Sequence, residues 1–334
     1  MKRRDFIKMS VGGATIASLA RARPLHGQSN SKTSRIGVLI ARSESDPEGQ
    51  KHAAAFERGL ADLGWSRGRN LEIAIRWWSS DAAKRVEFVR ELVALRPDVM
   101  LVNSSSYLAA AQQEVGGIPV VFVAVTDPVV QGFVQSLARP GGSVTGFGAE
   151  EPSMGSKWTE LLKEIAPDAR SVTVIFNPET ASIARFFLPS VRAAQKSFSF
   201  ELSEAPMRNE AELESAIAAA AQRPFPGLVF LPDSFLQSRT ETVAALVAKH
   251  KLPAVYSVSA FVRSGGLVAF GVERKDLFLR AAGYVDRILK GEKPSDLPVQ
   301  MPSKFELAVN LKAAKWLGIA IPPTVLARAD EVIE

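Results

Sequence analysis

"RIGVLIARSESDPEGQKHAAAFERGLADLGW", residues 35–65, contains the unit from which the chain is built. Its opening "IGVLIA" (36–41) is an uninterrupted apolar run. Such a run suits a parallel strand covered on both faces better than a half-exposed one. A polar loop follows, and the next stretch predicts a helix with Ala54, Phe56, Leu60 and Leu63 near one face. The alternation then recurs. "NLEIAIRWW" (70–78), "DVMLVNSS" (98–105) and "IPVVFVAVTD" (118–127) read as strands. Helices over 81–97 and 106–115 separate them, the first opened by Asp81 as N-cap and stopped at Pro97. A βαβαβαβ order predicts the α/β class with a doubly wound parallel sheet.

The pattern restarts after the glycine-rich "GGSVTGFGAEEPSMG" (141–155), which reads as a crossing between lobes. "SVTVIFNP" (171–178), "FELSEAPM" (200–207), "GLVFLPDS" (227–234) and "LPAVYSVS" (252–259) are strands of a second lobe. The strand "GGLVAFGVE" (265–273) and the amphipathic helix over 275–293 are expected to return to the first lobe. The expected organisation is therefore lobe 1 over 35–147 plus 258–293 and lobe 2 over 148–257 plus 294–334. A three-segment hinge near 146–148, 257–260 and 293–297 would join them. The 334-residue length fits two cores. Without cysteine the chain has neither disulfides nor thiolate chemistry.

The chain opens "KRRDFIKMS" (2–10), followed by an uncharged, weakly apolar run to Ala20. The run is too short to span a bilayer, which takes about 20 apolar residues, and fits the apolar core of a signal peptide. Arg3, Arg4 and Phe6 stand where a twin-arginine export signal carries them, although Lys2 replaces the usual Ser or Thr. Residues 1–27 are expected to be that signal, with cleavage near Gly27, and the mature chain is expected in the periplasm. The segment holds six Lys/Arg and one acid, so +5 of the net +6 belongs to it and about +1 to the rest. The basic balance thus gives no support for a nucleic-acid partner.

"VFVAVTDPVVQGFVQSLARPGGSVTGF" (121–147), "VFLPDS" (229–234) and "DRILKGEKPSDLPVQMPSKFELAVNLKAAKWLGI" (286–319) closely resemble ABC-transporter substrate-binding proteins of the tryptophan-binding-like group. The resemblance runs from about Arg35 to Leu326. It implies the type I periplasmic binding-protein fold: two lobes, three crossings, and a small-molecule ligand held between lobes that close on a hinge. It also implies an ABC permease and its ATPase as partners, no cofactor or metal, and a monomer. A receptor for a periplasmic solute needs export, which accounts for the leader.

Ligands of open α/β sheets sit beyond the carboxyl ends of the strands. That rule selects Ser43, Glu44, Ser104, Ser105, Ser106, Tyr107, Thr126 and Asp127 from the first lobe. From the second it selects Asn177, Asp233, Ser234, Tyr256 and Ser257, and the last strand adds Glu273. In "NSSSY" (103–107), hydroxyls stand at a helix start where free N–H groups and the dipole favour a carboxylate. One serine alone could simply cap the helix. Asp127 and Asp233 could each receive an ammonium group or cap the helix that follows. Glu273 stands where the resembling group often carries Asp. Trp77 and Trp78 could give an aromatic wall, with one of the alternating pair in the core. Dinucleotide, P-loop, zinc-protease and G-x-S-x-G motifs are missing. His52 and His250 are expected on helix surfaces. The expected function is a non-enzymatic receptor of an ABC importer for a small carboxylate, with an amino acid foremost. A periplasmic sensor that signals through a membrane partner is the second reading, and an α/β hydrolase or isomerase a remote third.

Overall fold

The computed structural model describes residues 33–334 apart from Ser80 and Ser182. The export signal, with Arg3, Arg4 and Phe6, lies outside the described residues. The first lobe runs β1 (Ser34–Leu39), α1 (Pro47–Asp62), β2 (Leu71–Arg76), α2 (Ala82–Ala94), β3 (Val99–Asn103), α3 (Ser105–Glu114), β4 (Val120–Val125) and β5 (Val144–Gly148). Its five strands are parallel in the order β2-β1-β3-β4-β5. Both faces are covered, which is why β3 and β4 are buried at every position. Asp46 and Asp81 cap α1 and α2 by accepting from first-turn amides. The inward face of α1 is Ala53, Phe56, Gly59 and Leu60, whereas Leu63 is exposed because the helix has ended one residue earlier.

The second lobe continues with α4 (Met154–Ile165), β6 (Ser171–Phe176), α5 (Ala184–Phe198), β7 (Glu201–Pro206), α6 (Glu210–Ala221), β8 (Pro226–Phe230), α7 (Ser234–Gln237), α8 (Thr240–Lys249), β9 (Ala254–Tyr256), α9 (Ala260–Arg263) and β10 (Val268–Val272). Then come α10 (Arg274–Leu289), β11 (Phe305–Asn310), α11 (Leu311–Leu317), α12 (Pro323–Leu326) and β12 (Glu331–Ile333). The seven strands lie in the order β12-β11-β10-β9-β8-β6-β7. β11 runs antiparallel to β10, and the other pairs are parallel. Among the described residues no helix is long and apolar enough to cross a membrane.

The lobe boundaries differ from expectation at the carboxyl-terminal half. β10 was expected with the first lobe; it pairs with β9 and β11 of the second. Only α10 returns, burying Leu277, Phe278, Ala281 and Val285 with the first-lobe core. Its approach to α1 is close: a Cβ on Gly59 would stand 2.8 Å from that of Ala282. Residues 297–300 also stay with the first lobe, where Val299 N donates to Leu137 O at 2.7 Å. The second crossing is thus at Glu273, and the third near 301–304. An apolar run declares a strand but not the sheet it joins, so the sequence left this undetermined. The crossings lie side by side: Gly148 N donates to Gln300 O at 2.8 Å and Glu273 N to Lys304 O at 3.2 Å.

Candidate ligand site between the lobes

The carboxyl ends of β3 and β4 face those of β6 and β8 across a cleft. Ser104, Ser105, Ser106 and Thr126 line it from the first lobe, and Thr180, Asp233, Ser234 and Gln237 from the second. Glu150 and Arg274 enter from the first and second crossings.

Ser104 caps α3, with φ +85° and its Oγ accepting from Tyr107 N at 3.4 Å. With Tyr107 N taken by that cap, the amides of Ser105 and Ser106 are the ones that precede the intrahelical ladder and can meet an acceptor. Ser105 Oγ accepts from Gln131 Nε2 at 3.1 Å. Ser106 Oγ donates to Thr180 O at 3.0 Å and so joins the two lobes. Arg42 makes a second junction, donating from Nη1 to Gln237 O and to Asp46 Oδ2, each at 2.9 Å.

Asp233 accepts four hydrogen bonds from its own lobe. Its Oδ1 accepts from Phe235 N at 2.7 Å, Leu236 N at 3.2 Å and Thr180 Oγ1 at 2.8 Å, and its Oδ2 accepts from Asn177 N. It caps α7 and ties two loops, so most of its accepting capacity is used within the second lobe. Burial pushes its carboxyl up to about 6 while these donors pull it down. Asn177 is likewise occupied, accepting from Glu179 N and donating to Arg208 O.

The charged pair in the cleft is a different one. Arg274 Nη2 donates to Glu150 Oε1 at 3.1 Å and Nη1 to Gln237 Oε1 at 3.0 Å. Glu150 is fully buried. Its Oε2 and the Arg274 Nε have no hydrogen-bond partner among the described residues. Opposite partial and formal charges therefore face one space: the α3 amino end and Arg274 positive, Glu150 negative.

The remaining expected residues lie elsewhere. Asp127, at φ +39°, caps its own turn through Val130 N at 3.2 Å and does not line the cavity. Tyr107 turns inward, donating to Trp77 O at 2.7 Å, and burial raises its phenol. Tyr256 is stacked in the second-lobe core between Phe230 and Phe261, at 4.9 and 4.8 Å. Ser43 meets Ser45, Glu44 is exposed, and Ser257 is buried without lining the cavity. Glu273 lines an adjoining chamber of about 300 Å³ that shares Arg274 with the cleft, together with Arg42, His52 and Arg263. His52 is not on a helix surface. It is buried against Phe278 at 4.7 Å, where burial and then Arg42 and Arg274 hold its imidazole well below the usual range.

A model of the ABC transporter substrate binding protein family matches residues 38–333. The chain belongs to that family. Its members are binding receptors, not enzymes. This substrate-binding protein is 26% identical over 289 residues to "Tyrosine-binding protein" of Clostridioides difficile (strain R20291), covering 86% of this chain and 82% of that one. A conserved domain protein of Vibrio cholerae O1 biovar El Tor superposes with a TM-score of 0.83 at 30% identity, over 90% of this chain and all of the other. An ABC domain from Streptococcus pneumoniae in complex with L-Trp superposes with a TM-score of 0.81 at 25% identity, again over 90% and 100%. The fold is that of type I periplasmic binding proteins.

Sequence reasoning missed Glu150, Thr180, Gln237, Arg274 and Arg42. A signal for two of them existed. Adjacent charges in "AEEP" (149–152) and "VERK" (272–275) interrupt apolar surroundings at the lobe crossings, whereas the expected hinge segments, 146–148 and 257–260, stop short of both.

Proposed function

We propose that this substrate-binding protein is an exported periplasmic receptor that holds an α-amino acid between its lobes and presents it to an ABC permease. The observation that carries the reading is Glu150, fully buried in the cleft with one oxygen unpartnered and facing Arg274. An unsatisfied buried carboxylate oxygen costs free energy until a donor reaches it, and an ammonium is such a donor. The carboxylate of the same ligand finds the Ser105 and Ser106 amides at the start of α3 and the Ser105 hydroxyl. The names of the relatives, which mention tyrosine and L-Trp, support an amino acid.

Closure follows from the hinge. Three short crossings can absorb the dihedral change of opening, while Ser106–Thr180, Arg42–Gln237 and Arg263–Glu48 join the lobes when shut. The twin arginines deliver the folded chain to the periplasm, where it acts as a monomer with the permease and its ATPase. A thermal-shift screen of amino acids, their decarboxylated amines and their 2-hydroxy acids tests this. Stabilisation by amino acids alone is expected; stabilisation by a sugar or a simple amine instead would overturn it.

A further inference from the structure

Arg263 ends α9 in the second lobe, and its guanidinium faces three carboxylates. Nε donates to Glu331 Oε1 at 3.0 Å and Nη2 to Glu331 Oε2 at 2.7 Å. The opposite edge is left for the first lobe, where Nη1 meets Glu48 Oε1 at 3.2 Å. Glu306 Oε2 stands farther off, 4.0 Å from Nη2, and its Oε1 accepts from Ser259 Oγ.

Both main partners are held in place. Glu331 opens β12, in register with Ala308 of β11. The residue before it is anchored, since Asp330 N donates to Leu307 O and Asp330 Oδ2 accepts from Leu307 N, each at 2.8 Å. Glu48 lies in the first turn of α1, where the helix dipole favours a carboxylate, and Lys51 Nζ meets the same oxygen at 2.7 Å.

A planar guanidinium gripped along one edge by a carboxylate has its other edge aimed as well. The Arg263 side chain is 34% exposed and that of Glu48 20%. A pair at such exposure contributes little when two long side chains must be ordered to make it. Here Arg263 is already ordered within its own lobe, so the bond across to the first lobe forms with less loss of rotamer freedom. Glu331 itself lines neither the cleft nor the adjoining chamber.

We propose that Glu331 is a positioning residue for lobe closure: from β12 it aims Arg263 at Glu48, and so raises ligand affinity from outside both cavities. This rests on the closing-receptor reading above and adds to it a residue remote from the ligand. Small-angle scattering of the mature chain, titrated with an equimolar mixture of the twenty standard amino acids, gives a midpoint of compaction. Glu331→Gln and Glu48→Gln are each expected to raise that midpoint about two- to fivefold in about 0.02 M NaCl, the range of a partly exposed ion pair. The double variant is expected to match Glu48→Gln alone, because Glu331 acts through the same bond. In about 0.5 M NaCl the differences should shrink below about twofold, as salt screens such charges. A Glu331→Gln chain that melts lower but keeps the wild-type midpoint would overturn the positioning role. So would a lowered midpoint, with Arg263 freed for Glu48, or losses that multiply in the double variant. A wild-type chain that does not compact in the mixture would overturn the closing-receptor reading and this proposal with it.

Discussion

Glu150 and Arg274 form a 3.1 Å ion pair whose carboxylate is wholly buried and whose guanidinium is nearly so. They stand on different crossings, so the pair joins two hinge segments at the ligand cavity. Removing one partner of such a pair strands the other charge, at about 3–5 kcal/mol. Arg274→Met is therefore expected to destabilise the unliganded chain by about 3 kcal/mol. Adding Glu150→Gln should restore much of that loss. Urea unfolding of both single variants and the double variant gives the coupling; a coupling below about 0.5 kcal/mol would contradict a pair that acts as a unit.

Ser106 reaches the second lobe through its bond to Thr180 O. Ser106→Ala should leave the melting temperature of the unliganded chain little changed. Ligand affinity should fall two- to tenfold, since a neutral hydrogen bond contributes about 0.5–1.5 kcal/mol. Titration combined with small-angle scattering checks this, and the variant should also scatter as a more open molecule. Unaltered affinity would mean that closure does not use this contact.

Two glycines separate packing from propensity. A Cβ on Gly271 would stand 1.9 Å from Ser257 O, whereas Gly283 in α10 has nothing within 4 Å. Gly271→Ala is expected to cost about 1–3 kcal/mol or more, by overpacking. Gly283→Ala is expected to stabilise by about 0.5–1 kcal/mol, as alanine does in a helix interior. Thermal unfolding of the two variants should move in opposite directions.

Much of this arrangement was legible in the sequence, and the failures have physical causes. The buried strands β1, β3, β4, β6 and β8 read as apolar runs because both of their faces are covered. Asp81 shows its cap locally. The sheet that takes β10 does not show, since strand pairing is a long-range choice. Nor does the outcome at each strand end. Asp233 and Asp127 both precede turns, yet one lines the cavity and the other does not. The Glu150–Arg274 pair spans 124 residues of sequence, with no local periodicity to announce it.

The Asp233 carboxyl is raised from 3.8 to about 6 by burial. A raised pKa means that the folded state binds the proton more tightly than the unfolded one. The stabilisation is complete below about pH 4 and is lost as pH rises through 6, by up to about 3 kcal/mol. Asp233→Asn should remove this slope. Unfolding free energies of both proteins at pH 4, 5, 6 and 7 give the difference, and a wild-type minus variant difference that grows with pH would contradict the direction.

The most direct measurement asks whether Glu150 meets the ligand's ammonium. It is a binding cycle by calorimetry, with wild type and Glu150→Gln each titrated with the best amino acid and with the 2-hydroxy acid of the same carbon skeleton. Either single change is expected to weaken binding by at least tenfold, because a charge-assisted hydrogen bond contributes about 1.5–3 kcal/mol. Making both changes together is expected to add little, since the second removes a contact already lost. Losses that multiply would contradict it, because the ammonium would then be held by another group and Glu150 would serve only to pair with Arg274.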